Sequence, residues 1–243
     1  MHVVYEPKGR AREYSSLACN LYTGCTHGCT YCYAPGCMRT TRDSWHGGAT
    51  PRKDVIANLE KDAQKLQGDT RPILFCFLTD PYQPVEKKER LTRKALEIVN
   101  RYGLRSQILT KGFHSIIARD FEIMKEAGTE LGLTLTFVDD KKRKAWEPLA
   151  SSTSDRLMTL EEAFAKGIYT WVSLEPVIDP EEALNLIETA HRYVRYWKIG
   201  KLNHMKDQEK KVDWAKFLEQ TVALLKGLGA SYYIKNDLLK YGK

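Results

Sequence analysis

The sequence predicts an α/β protein folded as an open, partial (β/α)6 barrel. Apolar, β-rich runs alternate with amphipathic helical stretches six times, which argues for a parallel sheet with right-handed crossovers. Six units are too few to close an eight-unit barrel. Polar residues with chemical potential also follow the strand runs, where parallel folds collect their chemistry. A doubly wound sheet fits the same periodicity and stays open as the alternative.

The strand candidates are Leu17–Thr23, Ile73–Leu78, Leu104–Thr110, Leu131–Val138, Tyr169–Val177 and Tyr193–Ile199, with Ser231–Ile234 near the C-terminus. Between them, Thr50-Pro51 reads as a helix cap with proline at the first helical position, and Val55, Ile56, Leu59, Ala63 and Leu66 share one face. Leu91, Ala95, Leu96, Val99 and Tyr102 form the next face, stopped by Gly103. Ser115 is placed to cap a helix ending at Gly128, and Thr159 with Glu162 reads as a capping box ahead of Gly167. Asp179-Pro180 and Asp213 start the last two helices, the second carrying Trp214, Phe217, Leu218, Leu224 and Leu225. After the strands come Cys25 to Cys32, Thr79-Asp80, Lys111, Asp139-Asp140, and the group Lys201, Asn203 and His204, while Glu175 sits late in the fifth. The stretch from Asp139 to Asp155 is long for a connection, and such loops are often functional.

The 243 residues carry a net charge of +7, with 42% hydrophobic and 28% charged residues, the balance of a globule and not of a disordered chain. One domain over 1–243 is expected, with its core at about 15–200 and a C-terminal helix and strand at 213–235. The longest apolar run, Ile73 to Leu78, is far short of the roughly 20 residues a membrane span needs. The first ten residues lack the apolar core of a signal peptide. A cytoplasmic location with reduced thiols follows as the expectation.

Five of the six cysteines fall between Cys19 and Cys37. Cys25, Cys29 and Cys32 are spaced C-x3-C-x2-C in a loop containing Gly24 and Gly28, which suits three sulfurs turned toward one centre. Thiolates select zinc or iron–sulfur clusters. Three thiolates on a four-iron cube leave one iron open to a substrate or cofactor, as at catalytic zinc. A Cys3His zinc site using His27, and an electron-transfer cluster completed by Cys37, fit the same residues.

With an aromatic, Tyr31, just before the third cysteine, the spacing resembles the signature of radical S-adenosylmethionine (SAM) enzymes, whose usual core is a partial (β/α)6 barrel. The fuller string Asn20-x-Tyr22-x-Gly24-Cys25-x-His27-x-Cys29-x-Tyr31-Cys32-Tyr33-Ala34 is similar to the spore photoproduct lyase-like branch. So are Thr79-Asp80-Pro81-Tyr82-Gln83-Pro84-Val85-Glu86, Leu109-Thr110-Lys111, Glu147-Pro148 with Arg156, and Glu175-Pro176-Val177-Ile178. The tail with Trp197-Lys198-Ile199-Gly200-Lys201-Leu202-Asn203 resembles small relatives from phages and mobile elements.

The resemblance implies a [4Fe-4S] cluster on Cys25, Cys29 and Cys32, with S-adenosyl-L-methionine on the open iron. Its reductive cleavage would yield a 5′-deoxyadenosyl radical that abstracts hydrogen from a substrate. Tyr31 would pack near the adenine, Thr79 and Asp80 beside the methionyl group, and Lys111 against the carboxylate. Thr134, Thr136 and Glu175 are further cofactor contacts, and Glu147 with Arg156 would brace the long loop as an ion pair. Tyr33 and Cys76 match the branch's hydrogen-atom donors. Cys76 stands one residue off the family position, however, and such an offset reverses the side-chain face.

The run Lys141-Lys142-Arg143-Lys144 beside Trp146, and a second set of Lys198, Lys201, Lys206, Lys210 and Lys211 around His204, fit phosphates and a stacked base. Solvated loops are the plain alternative. The expected substrate is a nucleobase or nucleotide in DNA or RNA, undergoing lyase, repair or base-modification chemistry. A reducing partner such as flavodoxin or ferredoxin is implied, and no membrane. Radical modification of a peptide or small molecule, or a zinc or iron–sulfur nucleic-acid binding module, are the competing classes.

Overall fold

The computed structural model describes residues 2–242. Its strands are β1 (Val4–Tyr5), β2 (Leu17–Cys19), β3 (Tyr22–Thr23), β4 (Thr50–Pro51), β5 (Ile73–Phe75), β6 (Ser106–Thr110), β7 (Glu130–Thr134), β8 (Tyr169–Val177), β9 (Tyr196–Lys201) and β10 (Tyr232–Ile234). One sheet runs β1-β2-β5-β6-β7-β8-β9-β10. From β2 to β10 every neighbour is parallel, and β1 joins β2 antiparallel. Among the described residues β1 and β10 stand at opposite edges of this sheet, so the barrel is open. The six expected parallel strands are present in order, and β10 adds a seventh.

Several elements differ from expectation. Leu17–Thr23 divides into β2 and β3, and β3 pairs antiparallel with β4 in a separate ribbon. Thr50-Pro51 therefore lies in a strand, and the following helix, Val55–Lys65, starts after Asp54. The second expected strand stops at Phe75 and the fourth at Thr134. Ser115 caps nothing: the segment to Gly128 breaks into His114–Ile117, a 3-10 turn and Phe121–Glu126. Thr159 sits inside the helix Thr153–Ala165, its hydroxyl donating to the Asp155 carbonyl at 2.7 Å. Ser152 is the cap, accepting from the Asp155 N–H. Asp179 and Asp213 cap their helices as expected.

Side chains alternate across a strand, so the two faces of the sheet carry different layers. Ile73, Phe75, Ile108, Leu131, Leu133, Val172, Leu174, Trp197 and Ile199 are fully buried in the main apolar core, which includes Leu59, Leu96, Val99, Leu160, Leu186 and Ile187 of the covering helices. The opposite, concave face holds a smaller cluster of Ala18, Leu74 and Trp171, joined by Tyr14, Phe77, Leu109 and Tyr196. Trp171 lies flat over Gly132 of the neighbouring strand. A Cβ at Gly132 would stand 2.1–2.6 Å from three atoms of the indole. The cluster sits on β2, β5 and β8, upstream of the strand ends that carry the cysteine loop. Further down, the N-terminal mouth contains a cavity of about 260 Å³ lined by Glu13, Gln107, Glu130, Tyr169, Trp171, Tyr196, Lys198 and Tyr233.

Gly132→Ala should lower unfolding stability by about 1–3 kcal/mol through overpacking against Trp171. Urea denaturation followed by tryptophan fluorescence measures this, and an unchanged midpoint would remove the stacked floor.

Candidate functional site

The cysteine loop has little regular structure of its own, so other segments must hold its backbone. Gly24 enters it at φ +82, and a Cβ there would stand 2.1 Å from the Gly48 carbonyl oxygen, leaving room for glycine alone. The N–H of Cys25 donates to the Trp45 carbonyl at 3.1 Å and that of Thr30 to the Trp146 carbonyl at 2.8 Å. Gln83, fully buried after β5, accepts from the Thr26 N–H at 3.1 Å and donates to the Gly24 carbonyl at 3.3 Å. Leu149 N–H reaches the His27 carbonyl at 3.1 Å. The connection from Asp139 to Asp155 is thus a brace with its own helix, Asp140–Trp146.

Cys25 and Cys29 are buried and Cys32 is half-buried. Burial raises all three thiols, that of Cys29 to about 12. Thiolates become stable there once a metal supplies positive charge, the behaviour of cluster ligands. Among the described residues, no three His, Cys, Asp or Glu side chains converge as ligands of a single ion. A four-iron cube takes each thiolate on a different iron, so its ligands stand further apart. His27 is turned away from the thiols. Its Nδ1 is 3.4 Å from the Leu149 carbonyl, and its Nε2 is 3.2 Å from Asp80 Oδ2, near enough to pair but outside hydrogen-bond alignment. Cys37 is exposed at the end of the helix Ala34–Cys37.

Asp80 is committed internally. Its Oδ1 accepts from the Tyr82 N–H at 2.8 Å and the Thr110 hydroxyl at 2.5 Å, and its Oδ2 from the Lys111 N–H at 2.7 Å. Burial raises its pKa, but His27, Lys111 and these bonds outweigh that and hold it well below the carboxylate range. The carboxylate thereby joins the ends of β5 and β6 to the cysteine loop. The Lys111 ammonium lies 6.0 Å from the Tyr31 ring centroid. Burial lowers its pKa, yet Cys29, Glu147 and Asp80 raise it further. It is a half-buried cation beside the thiols, suited to an anionic ligand.

Glu147 and Arg156, both fully buried, form an ion pair at 2.6 Å. Arg156 also donates to the carbonyls of Thr134 at 2.9 Å and Ser151 at 2.8 Å, and the Tyr31 hydroxyl donates to the other Glu147 oxygen. The pair braces the long connection, as expected, and fixes Tyr31 as well.

The remaining candidates divide. Thr136 Oγ1 is buried with no hydrogen-bond partner, while Thr134 is engaged through its carbonyl. Glu175 Oε2 accepts from the Tyr14 hydroxyl and from Lys235 Nζ, each at 2.6 Å, and Tyr14 also meets Ser173 Oγ at 2.6 Å. Tyr33 is 45% exposed, and its hydroxyl donates to the Phe77 carbonyl at 2.9 Å. Cys76 is buried with Sγ 3.1 Å from the Thr79 carbonyl and 3.2 Å from Thr79 Oγ1; burial raises its thiol to about 12. Phe77, not Cys76, packs into the concave cluster. Tyr14, Ser173 and Lys235 escaped the sequence reading. The two-residue rhythm Trp171, Ser173, Glu175 on β8 was the available signal.

Neither basic run is a free patch. Lys142 pairs with Asp179 at 3.0 Å and Glu182 at 2.8 Å. Arg143 is buried, paired with Asp140 at 2.8 Å and donating to the carbonyls of Glu147 and Ala150. Lys198 is buried and donates to the Tyr14 carbonyl at 2.7 Å, and burial lowers its pKa to about 8. Lys201 pairs with Glu209 at 2.5 Å. Lys141, Lys144, Lys206, Lys210 and Lys211 remain exposed.

Residues 19–194 match the Radical SAM superfamily. An uncharacterised Methanocaldococcus jannaschii protein is 29% identical over 65% of this chain and 59% of its own length. A probable dual-specificity RNA methyltransferase RlmN of Aquifex aeolicus is 25% identical over 82% of this chain and 58% of its own. The chain spans about half to three-fifths of the length of the curated relatives it matches. Streptococcus suis SuiB bound to S-adenosylmethionine has a similar fold at TM-score 0.67 and 12% identity, covering 91% of this chain and 51% of that one. A spore photoproduct lyase carrying dinucleoside spore photoproduct matches at TM-score 0.67 and 14% identity, covering 94% and 78%. Among the described residues no helix is long and apolar enough to cross a membrane.

Glu147→Gln should cost about 3–5 kcal/mol by stranding the buried Arg156 charge. Burial raises the Glu147 pKa, but Arg156 and Lys111 bring it below the ordinary value. Its stabilisation is therefore present above the unfolded carboxylate pKa of about 4.3 and disappears as pH falls through the lower folded value. Thermal melts from pH 7 to pH 3 should show a shallower acid decline in the variant.

Proposed function

The chain belongs to the radical SAM superfamily, and from that premise we propose that Cys25, Cys29 and Cys32 hold its [4Fe-4S] cluster and that the enzyme abstracts hydrogen from a nucleobase or nucleotide. The observation that carries the reading is the set of three loop thiols at the C-terminal strand ends, with the Lys111 ammonium within electrostatic reach of each. When bound, the cluster and S-adenosylmethionine supply reductive cleavage of a sulfonium and a hydrogen-abstracting radical.

The chain's own residues bind, orient and shield. Lys111 would pair with the methionyl carboxylate. Thr136 would offer its unused hydroxyl, and Thr79 and Thr134 would be further contacts. Tyr31, its hydroxyl held by Glu147, would lie near the adenine. Asp80 acts by positioning, since it fixes the Lys111 backbone. Glu175, held by Tyr14 and Lys235, would be a further cofactor contact. Tyr33, exposed and near the loop, is the candidate hydrogen-atom donor. The Cys76 sulfur is turned to Thr79, which favours a packing role there.

The photoproduct-bound lyase of the same fold and the RNA methyltransferase relative support a nucleobase substrate with lyase or base-modification chemistry. The burial of Arg143, Lys198 and Lys201 removes part of the phosphate-binding surface. That keeps a peptide substrate as the second reading, since SuiB has also been solved with a precursor peptide. A low-potential flavodoxin or ferredoxin would supply the electron.

Anaerobic reconstitution should give a brown protein with about four irons per chain. Adding S-adenosylmethionine and a reductant should release 5′-deoxyadenosine, abolished by alanine at Cys25, Cys29 or Cys32 and preserved by Cys37→Ala. With deuterated nucleosides, oligonucleotides and peptides, label in 5′-deoxyadenosine identifies the attacked molecule. A single zinc with no cleavage would end this reading, and label from peptides alone would transfer it to the second.

A further inference from the structure

We propose that Arg42 is a positioning residue for the cysteine loop and the fixed positive charge that eases electron uptake by the group held there. The inference rests on Cys25, Cys29 and Cys32 being the cluster ligands. Arg42 Nη2 donates to the Cys29 carbonyl at 2.6 Å and Nη1 to the Cys32 carbonyl at 3.2 Å. One planar guanidinium thus spans the backbone of two ligands, a fork that a lysine cannot reproduce. The third cysteine is tied to the same five-residue helix, Arg42–His46. His46 Nδ1 is 2.8 Å from the Cys25 carbonyl, and because a carbonyl only accepts, Nδ1 carries the proton. The Cys25 N–H donates to the carbonyl of Trp45, a buried residue of that helix. Thr41 caps the helix by accepting from the Ser44 N–H at 3.2 Å.

Each cysteine therefore takes its backbone position from one rigid turn. Both Arg42 bonds go to uncharged carbonyls, so neither cancels the guanidinium charge. A guanidinium stays protonated at every working pH. Reduction adds an electron to the cluster, and a nearby fixed cation favours the more negative state. Arg42 is exposed to solvent, which screens the effect without removing it.

The test is an electron-paramagnetic-resonance redox titration with iron analysis on anaerobically reconstituted full-length protein. Arg42→Gln should shift the reduction equilibrium three- to tenfold toward the oxidised state, about 30–60 mV at about 59 mV per tenfold for one electron. Arg42→Lys keeps the charge and should stay within twofold in the reduction equilibrium, but lose iron faster to a chelator. Arg39→Gln removes an exposed cation from the adjoining turn and should match wild type in both measurements. If Arg42→Gln retains its iron with a shift below twofold, or if Arg39→Gln shifts as far, the inference fails. Should Arg42→Gln take up no iron, circular dichroism melts decide. An unchanged melt with iron restored by Arg42→Lys supports the inference, and a collapsed melt in both variants overturns it. Wild-type protein that binds no iron would instead overturn the assignment of the cysteines.

Discussion

Three thiols, two buried and one half-buried, have to be presented together by a loop with little regular structure of its own. That constraint explains most of the polar contacts around the strand ends. A loop without a hydrogen-bonded ladder must satisfy its peptide groups elsewhere, and each unsatisfied group would cost free energy if buried. Here the partners come from separated parts of the chain: Gln83 after β5, Trp45 with His46 and Arg42, and Trp146 with Leu149 of the long connection. The Asp80 carboxylate ties the ends of two strands to His27. The sheet sets where the loop stands, and these contacts set its shape.

Features that depend on neighbours in sequence were legible beforehand. The spacing of Cys25, Cys29 and Cys32, the strand Tyr169–Val177 and the caps Asp179 and Asp213 all rest on local patterns, and each has its expected secondary structure. Features set by distant partners were not. Pro51 lies in a strand because Tyr22 pairs with it. Thr159 is a helix-interior residue because Ser152, seven positions earlier, caps the same helix. The cation Lys142 looked free because its partners are Asp179 and Glu182 of a later helix. Arg42 and His46 carried no signal, since a carbonyl acceptor is present at every residue.

Several cations of this molecule are turned inward. Lys198 lies over the rings of Tyr14 and Trp171, at 5.1 and 5.0 Å, and Lys235 over Tyr14 at 4.5 Å while paired with Glu175. Glu147 and Arg156 are sealed behind Tyr31. A net charge of +7 therefore says less about an anionic partner than the same number spread over a surface would. Buried ionic groups of this kind define geometry more than they add stability, because desolvation offsets much of their attraction.

The indole of Trp171 resting on Gly132 has a further effect. It leaves no room for any side chain at position 132 while the indole keeps its place. The paired strands β7 and β8 can therefore keep this face only as long as that residue remains the smallest of the twenty.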